Sequence, residues 1–324
     1  MKCNRLFPVL LVLFCALTVN AQGVFSKEGQ QKKADTLQKL KLTPFIHGTL
    51  QLPKDGKAEK LIVFIMGSGD VDRDGNQATS RRNTFKKMAD QLAKKGIATF
   101  RYDKRVIPML KQNMDYRKIS FNDFIKDAKD AIAYFRNEGN YNHIYIAGHS
   151  QGSLVGMLAA KDTADGFISI AGPSTTIDEA IVSQLEQQMG MGKEAEYAFN
   201  ALRKDGKVTD YNKGLASIFN EDLQPFLLSW MPYNPTEEIK KLEMPILIIN
   251  GTKDLQVTVK DAEVLHDAAP ESELKIFENM NHVLVTIEGD DLENAKSYNE
   301  SWRPLTMGLV ETIANFVTKN LSPN

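Results

Sequence analysis

Ser150 stands at the centre of Gly148-His149-Ser150-Gln151-Gly152, directly after the apolar run 144–147 and directly before the helix-like stretch 153–161. Glycines two residues to either side of a serine fit a sharp strand-to-helix turn, where a larger side chain would collide, and such a turn lifts the hydroxyl clear of the sheet. A hydroxyl at its free pKa is a poor nucleophile. It needs a histidine to take its proton and a carboxylate to orient that histidine. The order expected for this kind of turn is serine, acid, histidine. Asp254, in Gly251-Thr252-Lys253-Asp254 after the run 246–249, and His282, in Asn279-Met280-Asn281-His282 after the run 274–277, supply both.

The choice among alternatives is narrow. Of five histidines, His149 lies inside the turn, His47 precedes Gly48 in a strand-like run, His143 opens another, and His266 falls in a helical pattern. Among the acids, Asp261 falls in a helix, Asp290 and Asp291 come after the histidine, and Ala171-Gly172-Pro173-Ser174 offers no carboxylate after the preceding strand. The negative oxygen formed when Ser150 attacks a carbonyl needs two amide donors. One is the amide of Gln151, next to the nucleophile; the other is expected from Met66-Gly67-Ser68-Gly69, with Ser68 as donor. This chemistry requires no cofactor.

These residues must be carried by a scaffold, and the chain alternates short apolar runs with helical patterns, as an α/β protein does when a mostly parallel central sheet is covered by helices on both faces. The strand-like runs are 45–52, 61–66, 97–102, 144–147, 166–171, 246–249 and 274–277. Helical periodicity marks 84–95, 121–137, 152–161, 260–268 and 305–319, with Gly96 and Gly139 at C-cap positions and Ser120 to Asp123 as a capping box. Residues 173–241 break the rhythm: they are helical and Met-rich, without a strand, and are expected to form a cap inserted into a core made of 22–172 and 242–324. Trp230, Met231 and Tyr233 of this cap are expected either to build its own core or to line an apolar substrate wall.

Residues 1–21 read as a secretory signal peptide: Lys2 and Arg5, an apolar run, then Val19-Asn20-Ala21 as a cleavage site. The run is too short to span a membrane, and Phe14 before Cys15 disfavours a lipid anchor. The mature chain is therefore expected to be exported, periplasmic or secreted, without stable membrane insertion. Loss of the leader removes both cysteines, so no disulfide is expected, and it changes the formal charge from −1 to −3 because Lys2 and Arg5 depart with no acid. Without excess positive charge, nucleic acid is not an expected partner.

Two decoys fail. Asp70-Val71-Asp72-Arg73-Asp74-Gly75 opens like a calcium loop, but Arg81 occupies the twelfth position, where a bidentate Glu is required. A hydrogen-bond and ion-pair network around Arg73, bracing the Ser68 loop, is expected instead. Gly67-Ser68-Gly69 lacks the remainder of a dinucleotide or phosphate-loop motif, and no spacing suggests a metal site.

With the turn, the Gly67 loop, Asp72-Arg73-Asp74-Gly75-Asn76, Arg101-Tyr102-Asp103-Lys104-Arg105, Tyr233-Asn234-Pro235 and Gly251-Thr252-Lys253-Asp254 together, the chain resembles the α/β-hydrolase superfamily. Within it, the chain resembles a bacterial esterase branch akin to serine-aminopeptidase-type and dienelactone-hydrolase-type proteins. The resemblance implies a small-molecule ester substrate with a short-chain or carbohydrate-linked acyl group. It departs at Val106-Ile107-Pro108, where the branch has glycines, and at Asn234, where Asp is usual. Two alternatives stay open: an aminopeptidase drawing on Glu194, Glu196, Glu221 or Asp222 to hold an ammonium, and a binding protein of the same fold without turnover.

Overall fold

The computed structural model describes residues 36–319. The expected leader, 1–21, lies outside the described residues. Eight strands, β1 (Leu37–Lys41), β2 (His47–Gln51), β3 (Lys60–Ile65), β4 (Ala98–Tyr102), β5 (His143–His149), β6 (Gly166–Ile170), β7 (Ile246–Gly251) and β8 (Glu273–Phe277), form one sheet in the order β1-β2-β4-β3-β5-β6-β7-β8. β2 pairs antiparallel with both β1 and β4; all other pairings are parallel.

The apolar runs explain the layering. In β3, Leu61, Val63 and Ile65 join a core on one face, and Ile62 and Phe64 join a second core on the other. Alternate side chains of a strand point to opposite faces, so a strand apolar throughout must be covered twice. One cover contains α3 (Phe121–Glu138), α4 (Gln151–Ala160) and α10 (Val259–Ala268); the other contains α1 (Thr84–Ala93) and α12 (Leu309–Lys319). Ser120 and Asp123 make the capping box that starts α3, and Gly139 ends that helix at φ 66°.

Three elements were not foreseen. β1 is an edge strand, largely exposed, whose Leu-Gln-Lys-Leu-Lys pattern is too polar to read as a buried run. α2 (Val106–Lys111) takes the place of the loop expected at Val106-Ile107-Pro108, with Pro108 tolerated because it lies in the first turn. α11 (Asp291–Ser297) is short and polar, started by the Asp290 carboxylate accepting from the Glu293 amide.

Between β6 and β7 the chain makes only helices: α5 (Ile177–Met189), α6 (Gly192–Asp205), α7 (Ala216–Phe219), α8 (Gln224–Trp230) and α9 (Pro235–Ile239). α5 to α8 share a hydrophobic cluster that includes Leu185, Phe199, Leu202, Phe219 and Met231, whereas Ile239 of α9 joins a core of the sheet. Asn234 caps α9, its side chain accepting from the Thr236 amide at 3.0 Å. The unusual residue at this position thus starts a helix.

Arg73 lies in an ion-pair network as expected. Its Nε and Nη2 donate to the two oxygens of Asp103 at 2.9 and 2.6 Å, and Arg101 Nε donates to Asp74 at 2.8 Å. Burial alone would raise the Asp103 carboxyl, but its hydrogen bonds from Arg73 outweigh this and hold it below the usual aspartate range. A depressed folded pKa gives stability that is complete above the unfolded value, about 3.9, and is lost as acid passes through the folded value. Asp103→Asn is therefore expected to destabilise by about 3 kcal/mol at neutral pH. That deficit should shrink below pH 4, as denaturant melts at several pH values would show; a deficit independent of pH would mean the pair does not act through charge.

Candidate active site

Ser150 joins β5 to α4 with φ 54° and ψ −125°, a strained conformation for a residue with a side chain. Two glycines make the turn fit. A Cβ on Gly148 would lie 2.2 Å from the Gly152 carbonyl oxygen, and one on Gly152 would lie 2.2 Å from the Ile65 carbonyl oxygen. Both clashes are with backbone, which cannot step aside. Gly152→Ala is expected to cost about 2–3 kcal/mol, seen as a lowered melting temperature. An unchanged melting point would show that the turn is looser than these distances require.

β3 sits between β4 and β5, so the chain reverses its direction of winding there and the crevice outside the carboxyl ends of β3 and β5 is a switch point. Ser150 follows β5, and Gly67 and Ser68 follow β3. A Cβ on Gly67 would lie 3.2 Å from Ser150 Cβ, so the two loops touch. Among the described residues the amides of Ser68 and Gln151 have no protein acceptor, Gln151 being the first residue of its helix. The predicted donors are thus unspent and beside the serine.

Asp254 and His282 are brought together. The carboxylate Oδ2 accepts from His282 Nδ1 at 2.7 Å, and its Oδ1 accepts from the Gln256 and Val257 amides at 2.8 and 2.9 Å. Both residues are buried. A carboxylate can only accept here, so Nδ1 carries the proton and Nε2 keeps its lone pair. Among the described residues Ser150 Oγ makes no hydrogen bond, so the Ser150–His282 contact is not closed.

Residues without an expected role hold this pair. Asn281 Nδ2 donates to Asn294 Oδ1 and Ser297 Oγ, its Oδ1 accepts the Val283 and Val285 amides, and Asn294 Nδ2 donates to the Lys253 carbonyl. α11 therefore ties the acid loop to the histidine loop. His149 is also more than part of the turn. Its Nε2 donates to the His282 carbonyl at 2.8 Å, and the two rings lie 4.8 Å apart. Burial, then the neighbouring His282, pushes His149 down to about 3, so it stays neutral at working pH and acts as a fixed donor. Only its place within the pentapeptide hinted at this; Asn281 and Asn294 gave no signal, because polar bracing has no periodicity.

Trp230, Met231 and Tyr233 all make packing contacts, as the cap-core expectation has it. Trp230 stacks on Phe121 at 5.0 Å, Met231 belongs to the helical cluster between β6 and β7, and Tyr233 packs on Phe121 and donates to Asn122 Oδ1 at 2.6 Å. With Ser229 Oγ accepting from the Phe121 amide, they fasten α8 to the start of α3. Asp72, in the calcium-like segment, is occupied by the Asp74 and Asn76 amides.

The chain is similar to known proteins. The chain is 29% identical over 253 residues to esterase EstD of Thermotoga maritima, covering 75% of this chain and 58% of that protein. It thus spans little more than half the length of that curated relative. The structure of Est1E from Butyrivibrio proteoclasticus superposes with a TM-score of 0.53 at 16% identity, covering 85% of this chain and 94% of that one. Est1E has also been solved with ferulic acid bound, at a TM-score of 0.54 and 15% identity over the same shares. An esterase from Pyrococcus furiosus matches with a TM-score of 0.52 at 14% identity, over 85% of this chain and 86% of that one. These likenesses, with the serine turn at the switch point, establish the α/β-hydrolase fold. Residues 49–269, which run from β2 past Ser150 and Asp254 to the end of α10, match the BD-FAE family model, and the chain belongs to that family.

Proposed function

We propose that the protein is a carboxylic ester hydrolase acting through Ser150, His282 and Asp254. The observation that carries this reading is the Asp254–His282 pair, oriented with a free Nε2, beside a strained serine whose neighbouring loop offers two unspent amides. When substrate enters, His282 Nε2 takes the Ser150 proton and Oγ attacks the ester carbonyl. The Ser68 and Gln151 amides hold the oxyanion, and His282 passes the proton to the leaving alcohol. Water then attacks the acyl-enzyme with His282 again as base. Closure of the Ser150–His282 contact on substrate binding is consistent with the open contact here.

The substrate class is proposed as esters of short-chain or carbohydrate-linked acids, aromatic acids included, because the chain is of the BD-FAE family and its structural neighbour Est1E binds ferulic acid. The helices between β6 and β7 are proposed to cap the site, and the leader-like 1–21 to export the chain. The aminopeptidase reading finds no matching observation: Glu194, Glu196, Glu221 and Asp222 are all exposed. Nitrophenyl acetate and butyrate, a feruloyl ester and aminoacyl-nitroanilides, assayed against wild type and Ser150→Ala, test the proposal. Ester turnover well above the variant is expected. Ester turnover equal to the variant, or nitroanilide turnover exceeding it, would overturn the reading.

A further inference from the structure

Asp103-Lys104-Arg105 is a run of three buried charges. Asp103 is paired with Arg73, and Arg105 with Asp123 and Asp127. Lys104 differs: among the described residues no carboxylate lies within ion-pair distance of it. Its Nζ donates to the Gly67 carbonyl at 2.9 Å and to Gln151 Oε1 at 2.6 Å, and it sits 4.3 Å from the centre of the Phe124 ring. Burying an ammonium without a counter-charge is costly, so its placement calls for a compensating use.

Both acceptors belong to the oxyanion site. The Gly67 carbonyl and the Ser68 N–H are the two ends of one peptide group. A cation bonded to the oxygen draws charge through that group and makes the N–H a stronger donor, as linked hydrogen bonds polarise one another. The Gln151 side chain fixes the residue whose amide is the other donor. We infer that Lys104 is a positioning residue for the oxyanion hole, clamping the Gly67–Ser68 peptide to Gln151 and polarising the Ser68 amide from behind. The inference rests on the proposed roles of Ser68 and Gln151.

A charge-dependent clamp leaves a mark in pH. Burial pushes the Lys104 ammonium down to about 7, with Asp70 pulling the other way. The charged groups sharing its narrow cavity are Arg105 and Asp127, which pair with each other, and the Tyr102 hydroxyl there is pushed up by burial. Lys104 is thus the group on that side that titrates in the working range. Activity needs charged Lys104 on the alkaline side.

The test compares wild type with Lys104→Met, which keeps length without charge, and with Gln151→Met, which removes one anchor, by kcat and KM on nitrophenyl butyrate from pH 6 to 9. Fluorophosphonate labelling of the wild type tests the underlying reading separately. The expected result is a labelled wild type whose kcat falls at alkaline pH. In Lys104→Met, kcat should be about 10- to 100-fold lower with KM changed less than about twofold, and the alkaline fall should be gone. Gln151→Met should show a smaller loss in kcat and keeps the test alive if Lys104→Met does not fold. A labelled wild type with Lys104→Met within twofold in kcat, or with its alkaline fall intact, overturns the clamp alone. Unchanged kcat in Gln151→Met also overturns it, whereas an unlabelled wild type overturns the reading beneath it.

Discussion

Ser150→Ala is expected to lower kcat on nitrophenyl esters by about 10⁶-fold, leaving only what the oxyanion donors and binding supply. The size follows from the chemistry: the acyl-enzyme on Ser150 cannot form without its hydroxyl. His282→Ala should cost nearly as much, and the double variant little more than either alone, because the two act as one unit. Steady-state kinetics on purified proteins checks this. Losses that multiply in the double variant would mean that the two residues do not share a step.

Asp254→Asn is expected to lower kcat by about 10⁴-fold with the fold intact. The Asp254 carboxylate holds the proton on His282 Nδ1 and is itself fixed by the Gln256 and Val257 amides. An amide in its place can present N–H to Nδ1, which moves the imidazole proton to Nε2, where it faces Ser150 and cannot accept. The same change loses the charge that steadies the imidazolium. A loss under tenfold would remove Asp254 from the mechanism. Asp261 is no substitute, since its carboxylate caps α10 and accepts from Ser174.

What the sequence revealed and what it hid divide along physical lines. Buried strands announce themselves by short apolar runs, so β3 to β7 were legible, and a turn that tolerates only glycine at two positions made Ser150 legible as well. Asp254 and His282 were legible because few residues of their types follow the right strands. β1 and α11 were not: one is an exposed edge and the other a polar seven-residue helix, and neither carries an apolar pattern. The bracing by Asn281, Asn294 and His149 was also hidden, since hydrogen-bond partners far apart in sequence leave no local trace. Trp230, Met231 and Tyr233 show a pattern with two readings. Large apolar residues near a site suggest a substrate wall, yet the same side chains are what fasten one helical layer to another.

The most direct test of the central claim is labelling with a fluorophosphonate probe, which reacts with an activated serine whatever the natural substrate. Wild type, Ser150→Ala and His282→Ala, each confirmed folded by circular dichroism, would be compared at equal concentration. The account predicts labelling of the wild type alone. An unlabelled wild type, or a Ser150→Ala protein that still labels, would contradict the assignment of Ser150 as a nucleophile activated by His282.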